Sequence, residues 1–275
     1  MLKQRLITAA ILIPLVVWAL LALSTESLSY GLGLVALLAA WEWLQLMGFK
    51  QKYQLALAVM AMLLTGYLAL FYLPIKVLLT VTLLIWLSAS IIILLFAHKP
   101  LPQNLLNLFK TPLFVVIIAT VVLTGFVASA SYLHSFPEQG PALLLFVLVS
   151  VWLADTGGYF AGKRFGKHKL AKEISPNKTW EGVAGALVLS GVFATGFYFL
   201  VLESSLSLIS WLFLTALTVL ISIVGDLFES VFKRCFNVKD SGQLLPGHGG
   251  ILDRIDSLLA AVPVFTVAVL LMGAY

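Results

Sequence analysis

One polar stretch of this 275-residue chain carries most of the side chains that could perform chemistry. It lies between two apolar runs, occupies residues 230–256 and reads SVFKRCFNVKDSGQLLPGHGGILDRID. Its cations are suited to binding phosphate oxygens, and its carboxylates are suited to binding a metal ion or a proton. The cations are Lys233, Arg234, Lys239 and Arg254, and the aspartates are Asp240, Asp253 and Asp256. We therefore predict a site for a charged, phosphorylated substrate.

Further carboxylates lie in or beside the apolar runs that flank this stretch. Asp226, Glu229 and Lys233 are spaced i, i+3 and i+7, so they share one face of a helix. Asp253 and Asp256 are three residues apart at the start of the last apolar run. An ionised carboxylate at mid-bilayer costs roughly 2.5 to 3.5 kcal/mol on insertion scales, so each needs a partner, a metal or water. These carboxylates therefore indicate a polar cavity.

The same carboxylates predict a metal site. Hard oxygen ligands of this kind suit Mg²⁺, which one or two carboxylates usually hold together with substrate phosphates. The structural alternative is that Asp226 and Glu229 form an ion pair with Lys233 that only helps helices pack. That alternative does not explain why two further carboxylates, Asp253 and Asp256, stand at the start of the next span.

A glycine pair follows the one histidine of the same stretch. Gly249 and Gly250 have no Cβ, so their backbone N–H groups can approach a phosphate closely. His248 alone is more often a structural residue, but its position beside two glycines makes it a candidate for the site.

A second polar stretch also combines glycines with cations. It reads ADTGGYFAGKRFGK at residues 154–167 and ISPNKTWEG at residues 174–182. The glycine spacing does not match a Walker loop, and no strand precedes it. One alternative is a solvated loop whose lysines hold anionic headgroups. The other is a nucleotide site, because Trp180 stands among the hydrogen-bonding residues Asn177 and Lys178 and could hold a base or a ribose. Asp155, within an apolar run, belongs to the same polar cavity.

The composition requires a membrane protein. The chain is 61% hydrophobic and 11% charged, which leaves too little polar surface for a soluble globule of this length. Apolar runs near the ~20 residues that cross a bilayer recur along it. We predict an all-α, polytopic integral membrane protein with about nine transmembrane helices, at 6–23, 28–47, 55–73, 77–97, 113–133, 141–162, 182–202, 208–232 and 255–275.

These spans leave no room for a soluble domain, so residues 1–275 are predicted to form a single membrane domain. Residues 1–140 supply the N-terminal helices, and residues 141–275 supply the catalytic helices and cytoplasmic loops. Cys235 is the only cysteine, so neither an intrachain disulfide nor a thiolate cluster can form. The net charge of +5 is not accompanied by any motif that binds nucleic acid. We therefore exclude nucleic acid as a partner.

The cations set the predicted orientation. With a cytoplasmic amino terminus, 16 of the 17 lysines and arginines lie on the cytoplasmic side, and the bias survives when the two functional loops are left out. The carboxyl terminus is then outside. Glu42, between Trp41 and Trp43, is predicted to lie in the headgroup region, with a packed interface as the alternative.

With these residues identified, the chain closely resembles the phosphatidate cytidylyltransferases, also called CDP-diacylglycerol synthases. The family signature runs S-x-aliphatic/F-K-R, four residues, K-D, a small residue, P-x-H-G-G and D-R-x-D, and residues 230–256 fit every fixed position. Two further family segments, A-D-T-G-x-Y-F-A-G and S-P-x-K-T-W-E-G, are matched at residues 154–162 and 175–182. Residues 1–140 resemble the family only in being hydrophobic.

The resemblance implies that CTP and phosphatidate react to give CDP-diacylglycerol and pyrophosphate, with Mg²⁺ and room for a second cation. Asp226 and Asp253 are then the primary metal ligands, with Asp256 and Glu229 as their partners. The residues assigned to catalysis are Asp226, Asp253, Asp256, Lys233 and Arg234. The residues assigned to substrate binding are Asn177, Lys178, Lys239, Asp240, His248, Gly249, Gly250 and Arg254.

The implied partners are CTP, phosphatidate and the lipid bilayer of the cell inner membrane, and a homo-oligomer is compatible with them. One alternative is a CTP-dependent polyprenol or dolichol kinase, whose site needs similar groups. A second, from another class, is an ion-coupled secondary transporter, since intramembrane carboxylates and glycine-broken helices also mark ion pathways. A CDP-alcohol phosphatidyltransferase needs a D-G-x-x-A-R run, which this sequence lacks.

Overall fold

The computed structural model describes residues 2–46, 52–202, 206–238, 240–242, 244 and 249–273. These residues form ten helices and one small two-stranded sheet. The helices are α1 (Leu2–Ala22), α2 (Thr25–Leu46), α3 (Lys52–Tyr72), α4 (Ile75–Phe96), α5 (Gln103–Lys110), α6 (Pro112–His134), α7 (Gly140–Phe165), α8 (Trp180–Leu200), α9 (Leu208–Cys235) and α10 (Leu252–Leu271). The strands are β1 (Lys169–Ala171) and β2 (Ser175–Thr179).

The prediction of an all-α polytopic membrane protein is confirmed. Eight helices, α2 to α4 and α6 to α10, are long and apolar enough to cross a membrane. In α1 the described side chains give a shorter apolar stretch, Ala10–Ala22, so the ninth span stays a prediction. Large apolar side chains on the outside of the bundle, such as Leu64, Leu94 and Phe199, suit contact with lipid.

The helices that carry the site extend further than the predicted spans. Helix α7 continues to Phe165 and α9 to Cys235, and both carry cations in their last turn. Cations at a helix C-terminus interact favourably with the helix dipole, so these polar ends remain helical. Lys233 and Arg234 therefore lie on helix α9 and not in a loop. Helix α10 begins at Leu252, which places Asp253 in its first turn.

A β-hairpin that the sequence did not predict joins α7 to α8. Strands β1 and β2 are antiparallel, with Lys169 opposite Thr179 and Ala171 opposite Ser175. The Thr179 hydroxyl accepts a hydrogen bond from the Gly182 N–H at 3.1 Å and so caps α8. The hairpin thus runs directly into a helix start, which fixes the residues of β2 relative to α8.

The hairpin is also anchored to the rest of the bundle. Arg234 Nε donates a hydrogen bond to the Ile174 carbonyl at 3.2 Å. The Glu173 N–H donates to the Ala97 carbonyl, just after α4, at 3.4 Å. Arg234, predicted to clamp phosphate, therefore has a second role that the sequence did not indicate, which is to tie the hairpin to the end of α9.

Two glycines allow α7 and α8 to pack closely. A Cβ at Gly185 would collide with the Ala161 side chain and with the Gly157 carbonyl oxygen, so only glycine fits there at this helix separation. A Cβ at Gly157, in the second polar stretch, would likewise collide with the Gly185 carbonyl oxygen, so this glycine serves helix packing beneath the hairpin. Deeper in the bundle, the rings of Phe146, Trp211 and Phe265 form an aromatic cluster between α7, α9 and α10.

A short helix, α5, is a second element without a sequence prediction. Its only buried residue is Phe109, whose ring packs against Phe232 at 5.1 Å and Phe114 at 5.8 Å between centroids. Trp43 of α2 contacts Phe232 as well, at 5.4 Å. Helices α2, α5 and α9 therefore meet in one aromatic cluster at the end of the bundle where α9 ends.

Candidate active site

Lys233 forms an ion pair with each of two carboxylates. Its Nζ lies 2.7 Å from Glu229 Oε2 on the same helix and 3.0 Å from Asp253 Oδ1 on α10. The lysine side chain is only 14% exposed, so water screens these pairs weakly. Lys233 thus joins the end of α9 to the start of α10, and two residues assigned to catalysis are in direct contact.

Asp253 also organises the loop that precedes it. Its carboxylate accepts hydrogen bonds from the Ser241 N–H at 3.1 Å and from the Gly250 N–H at 2.9 Å. Gly249 has a φ of +82°, and a Cβ there would lie 3.0 Å from Asp253 Oδ2. The glycine pair was expected to present N–H groups to a phosphate, but the Gly250 N–H is bound to Asp253 in this structure.

Asp226 pairs with a residue from the other polar stretch. Its Oδ2 lies 2.7 Å from Lys178 Nζ of strand β2, and Ser230 Oγ donates to its Oδ1 at 3.4 Å. The ion pair with Lys233 that the packing alternative expected is therefore present for Glu229, whereas Asp226 pairs with Lys178 instead. The Asp226–Lys178 contact brings both polar stretches into a single site.

A cavity of about 210 Å³ opens beside this pair, between α7, β2, α8 and α9. Its polar lining includes Asp155, Asn177, Lys178 and Asp226, and its apolar wall includes Ile223. Asn177 and Lys178, assigned to substrate binding, therefore face the same space. The size and mixed lining suit one part of a ligand that carries both charge and an apolar or aromatic surface.

Asp155 lines the polar cavity, as the sequence predicted, although the sequence assigned it neither a catalytic nor a binding role. Its carboxyl group interacts electrostatically with the carboxyl group of Asp226 and with the cations Lys178 and Arg254. The only signal in the sequence was a carboxylate within an apolar run. Its partners lie on other elements, and spacing along the chain could not identify them.

Asp256 completes a row of carboxylates. It interacts with both Asp226 and Glu229 across the interface between α9 and α10. A Cβ at Gly225 would lie 2.6 Å from the Asp256 carbonyl oxygen, so the two helices are in close contact at this level. Lys178 and Lys233 flank the row at its two ends. Several carboxylates this close together favour an additional cation between them.

The donor set fits a magnesium ion that shares its coordination with substrate. In the described part of the chain, no group of three or more His, Cys, Asp and Glu side chains is arranged to hold a metal ion alone. Magnesium rarely needs such a cage, because substrate phosphates and water complete its coordination. The carboxyl groups of Asp226 and Asp256 interact unfavourably with each other, which a bound cation would relieve. Asp253 already contacts Lys233 and two backbone N–H groups. The metal assignment stays a prediction.

Three further assigned residues are exposed to solvent. They are Arg234, Asp240 and Arg254, and the exposed guanidinium groups of the two arginines are accessible to phosphate. Lys239 and His248, both assigned to substrate binding, lie outside the described residues.

Fold and site together define a multi-pass membrane protein with a charged cavity at one end of its bundle, where α7 and α9 end and α8 and α10 begin. Two lysines, two arginines and a row of carboxylates at this end suit a substrate that carries phosphate groups. Helices α7 and α8, which border the cavity, also carry exposed apolar side chains such as Phe160 and Val188.

Comparisons with known proteins agree with this class. The chain matches the Cytidylyltransferase family over residues 3–272. It is 39% identical to a phosphatidate cytidylyltransferase of Haemophilus influenzae over 293 residues, which cover 97% of this chain and 98% of the relative. A phosphatidate cytidylyltransferase of Pseudomonas aeruginosa is 39% identical over 276 residues, with 96% of each chain covered. One from Bacillus subtilis is 46% identical over 131 residues, about half of each chain. This chain belongs to the cytidylyltransferase family.

Proposed function

We propose that this chain is a phosphatidate cytidylyltransferase, which transfers the CMP unit of CTP to phosphatidate and releases pyrophosphate. The observation that carries the proposal is the 2.7 Å contact between Lys178 and Asp226. Asp226 also accepts a hydrogen bond from Ser230, the first residue of the signature, so the two motif-bearing stretches meet beside one cavity, as a reaction between two phosphorylated substrates requires. The full-length similarity to relatives that bear this name supports the proposal.

The reaction is a nucleophilic displacement at phosphorus. An oxygen of the phosphatidate phosphate attacks the α-phosphorus of CTP, a new P–O–P bond forms, and the bond between the α-phosphorus and the bridging oxygen to the β-phosphate breaks. Pyrophosphate carries away the electron pair. Because both reactants are anions, the protein contributes positioning and charge stabilisation and needs no covalent intermediate.

The cations of the site bind the phosphates. Lys178 faces the cavity. The exposed guanidinium of Arg254 is close enough to interact electrostatically with Asp155, which also lines the cavity. Lys233 is held between Glu229 and Asp253, so its ammonium group is already oriented before substrate binds. A preorganised charge of this kind stabilises a transition state without reorganisation during the reaction.

Asp226 and Asp253, with Asp256 and Glu229 beside them, are the proposed magnesium ligands. Magnesium held by these residues would supply positive charge beside the substrate phosphates. The same carboxylates orient the lysines through the Asp226–Lys178 and Asp253–Lys233 contacts.

The proposed location is the cell inner membrane, with the amino terminus and the site facing the cytoplasm and the carboxyl terminus outside. CTP then reaches the site from the cytoplasm, and phosphatidate enters from the inner leaflet. Residues 141–275 are proposed as the catalytic part and residues 1–140 as its membrane support. A homo-oligomer stays a prediction.

Product identification tests the proposal. Purified protein in detergent with CTP, phosphatidate and Mg²⁺ is expected to yield CDP-diacylglycerol and pyrophosphate, identified by mass spectrometry. A CTP-dependent kinase would instead release CDP and phosphorylate a polyprenol. Protein that forms neither CDP-diacylglycerol nor pyrophosphate, while eluting as a folded species, would contradict the proposal.

A further inference from the structure

Glu42, on helix α2, is a fully buried carboxyl group far from the signature in sequence. The prediction that it lies in the headgroup region is wrong, because none of its surface is exposed, and the packed-interface alternative is correct. Its Oε2 accepts a hydrogen bond from the Leu252 N–H at 2.9 Å. The N–H groups of Ile251 and Leu244 are also near enough to interact with the carboxyl. This side chain therefore reaches the loop and helix start that carry Asp253.

The loop between α9 and α10, called here the glycine loop for its residues Gly242, Gly249 and Gly250, is shaped around this side chain. For a Cβ placed on Gly242, the three nearest heavy atoms would be Oε1, Cδ and Cγ of Glu42. A Cβ on Gly250 would collide with Glu42 Oε2 and with Ser241 Oγ. Residues on both sides of the loop thus lack a Cβ where the Glu42 carboxyl fits against the backbone.

The same loop residues hold Asp253. The Ser241 and Gly250 N–H groups both donate to Asp253. Gly250 lies against the Glu42 carboxyl, and Ser241 immediately precedes Gly242, which does so too. Asp253 in turn contacts Lys233 at 3.0 Å. A shift of the loop away from α2 would therefore move Asp253 and, through it, Lys233.

From this geometry we infer that Glu42 is a positioning residue: it accepts the Leu252 N–H and so fixes the start of α10 and the glycine loop in the arrangement that catalysis needs. The inference rests on the proposed function and adds to it a contribution from the N-terminal helices. The N–H groups in the first turn of a helix have no acceptor within the helix. Glu42 supplies that acceptor for the Leu252 N–H at the start of α10. Glu42 touches no substrate and acts through the loop.

Two substitutions separate hydrogen bonding from packing. Glu42→Gln keeps a side-chain oxygen that can accept the Leu252 N–H, whereas Glu42→Leu has a similar volume and no acceptor. We expect Glu42→Gln to retain at least half of the wild-type kcat. Glu42→Leu should lose about 10²-fold in kcat, the scale of a misplacement of roughly 1 Å in a catalytic arrangement. The KM for CTP should change less than kcat, because Asn177 and Lys178 of β2 line a cavity to which no described residue of the loop contributes.

Gly242→Ala provides a route that leaves Glu42 intact. The added methyl group should displace the Glu42 carboxyl and lower kcat, whereas Gly191→Ala, where a Cβ meets nothing within 4 Å, should have wild-type activity. Glu42→Ala combined with Gly242→Ala should be no less active than Glu42→Ala alone, because the collision partner is gone. Additive losses would overturn the inference.

Hydrogen exchange reads the same contact without turnover. Peptides that cover residues 249–256 should exchange at least tenfold faster at the Leu252 amide in Glu42→Leu than in the wild type or Glu42→Gln, as measured by mass spectrometry. Unchanged exchange in Glu42→Leu, or faster exchange with unchanged kcat, would overturn the inference. A wild-type protein without turnover would contradict the proposed function alone, because the exchange experiment still reports on Glu42.

Discussion

Charged residues in this site form pairs whose members come from different elements. Lys178 of β2 neutralises Asp226 of α9, and Lys233 of α9 contacts Asp253 of α10. Each pair is partly buried, so removing one partner leaves a poorly solvated charge behind. The two lysines therefore both orient carboxylates and offer positive charge to phosphate, and their loss should have a larger effect than the loss of a surface lysine.

Lys178→Ala should lower kcat by about 10²- to 10³-fold, the usual cost of removing one preorganised charged group. The Asp226 carboxylate would then face Asp155 and Asp256 without its partner. Steady-state kinetics with CTP and phosphatidate measures the effect. Lys110→Ala, an exposed lysine at the end of α5, is the matched control and should be nearly silent. Equal losses in both variants would mean that the cations act only by general attraction of anions.

Asp226→Asn and Asp253→Asn should each remove nearly all activity, because asparagine keeps the size of the side chain and loses its charge. If the two aspartates serve one magnesium-dependent site, the double variant should be no worse than either single variant. Residual turnover titrated with Mg²⁺ should show a higher requirement in both. Near-normal turnover with a wild-type Mg²⁺ dependence in either variant would contradict the shared site.

At the scale of elements, the contact between α7 and α8 places the hairpin, and with it Lys178, against α9. Gly185→Val should force these helices apart, because even a Cβ collides with Ala161 and the Gly157 carbonyl. Overpacking of this kind typically costs about 1–3 kcal/mol. We expect a lower melting temperature in detergent together with reduced turnover. Gly191→Val on the same helix, where a Cβ has open space, is the control, and an equal loss there would contradict this role for Gly185.

The sequence predicted the spanning helices well because each is a long apolar run with polar residues at its ends. It did not predict the hairpin, since three- and five-residue strands carry too few residues for an alternating pattern. It placed Lys178 and Asp226 in the same general site but not in contact. Pairing between distant stretches depends on how helices pack, and periodicity along one segment carries no information about that.

The error at Glu42 has a similar cause. An acidic residue between two tryptophans is typical of a membrane interface, and the sequence contains no sign that a glycine loop some two hundred residues later covers it. Trp43 is in fact buried in the aromatic cluster with Phe232, so its ring is not available to lipid headgroups. The partner of a buried carboxyl becomes visible only when the helices are assembled.

For the molecule as a whole, the predicted orientation can be tested by cysteine labelling. Cys235 is buried at 4% exposure, so it is a poor target for a maleimide. In a Cys235→Ser background, Lys172→Cys in the hairpin turn should react with a membrane-impermeant maleimide only after spheroplasts are opened. Ser135→Cys, in the exposed connection between α6 and α7, should react in intact spheroplasts. The reverse pattern would contradict a cytoplasmic site.

The central claim is that the α-phosphate of CTP is transferred to a lipid phosphate, and radiolabel position tests it most directly. Purified protein with phosphatidate and Mg²⁺ should move label from [α-³²P]CTP into the lipid extract and release label from [γ-³²P]CTP as pyrophosphate. The Lys178→Ala protein provides the matched control and should transfer at least about 10²-fold less α-label. Label from the γ-position in the lipid, or no transfer of α-label by folded wild-type protein, would contradict the claim.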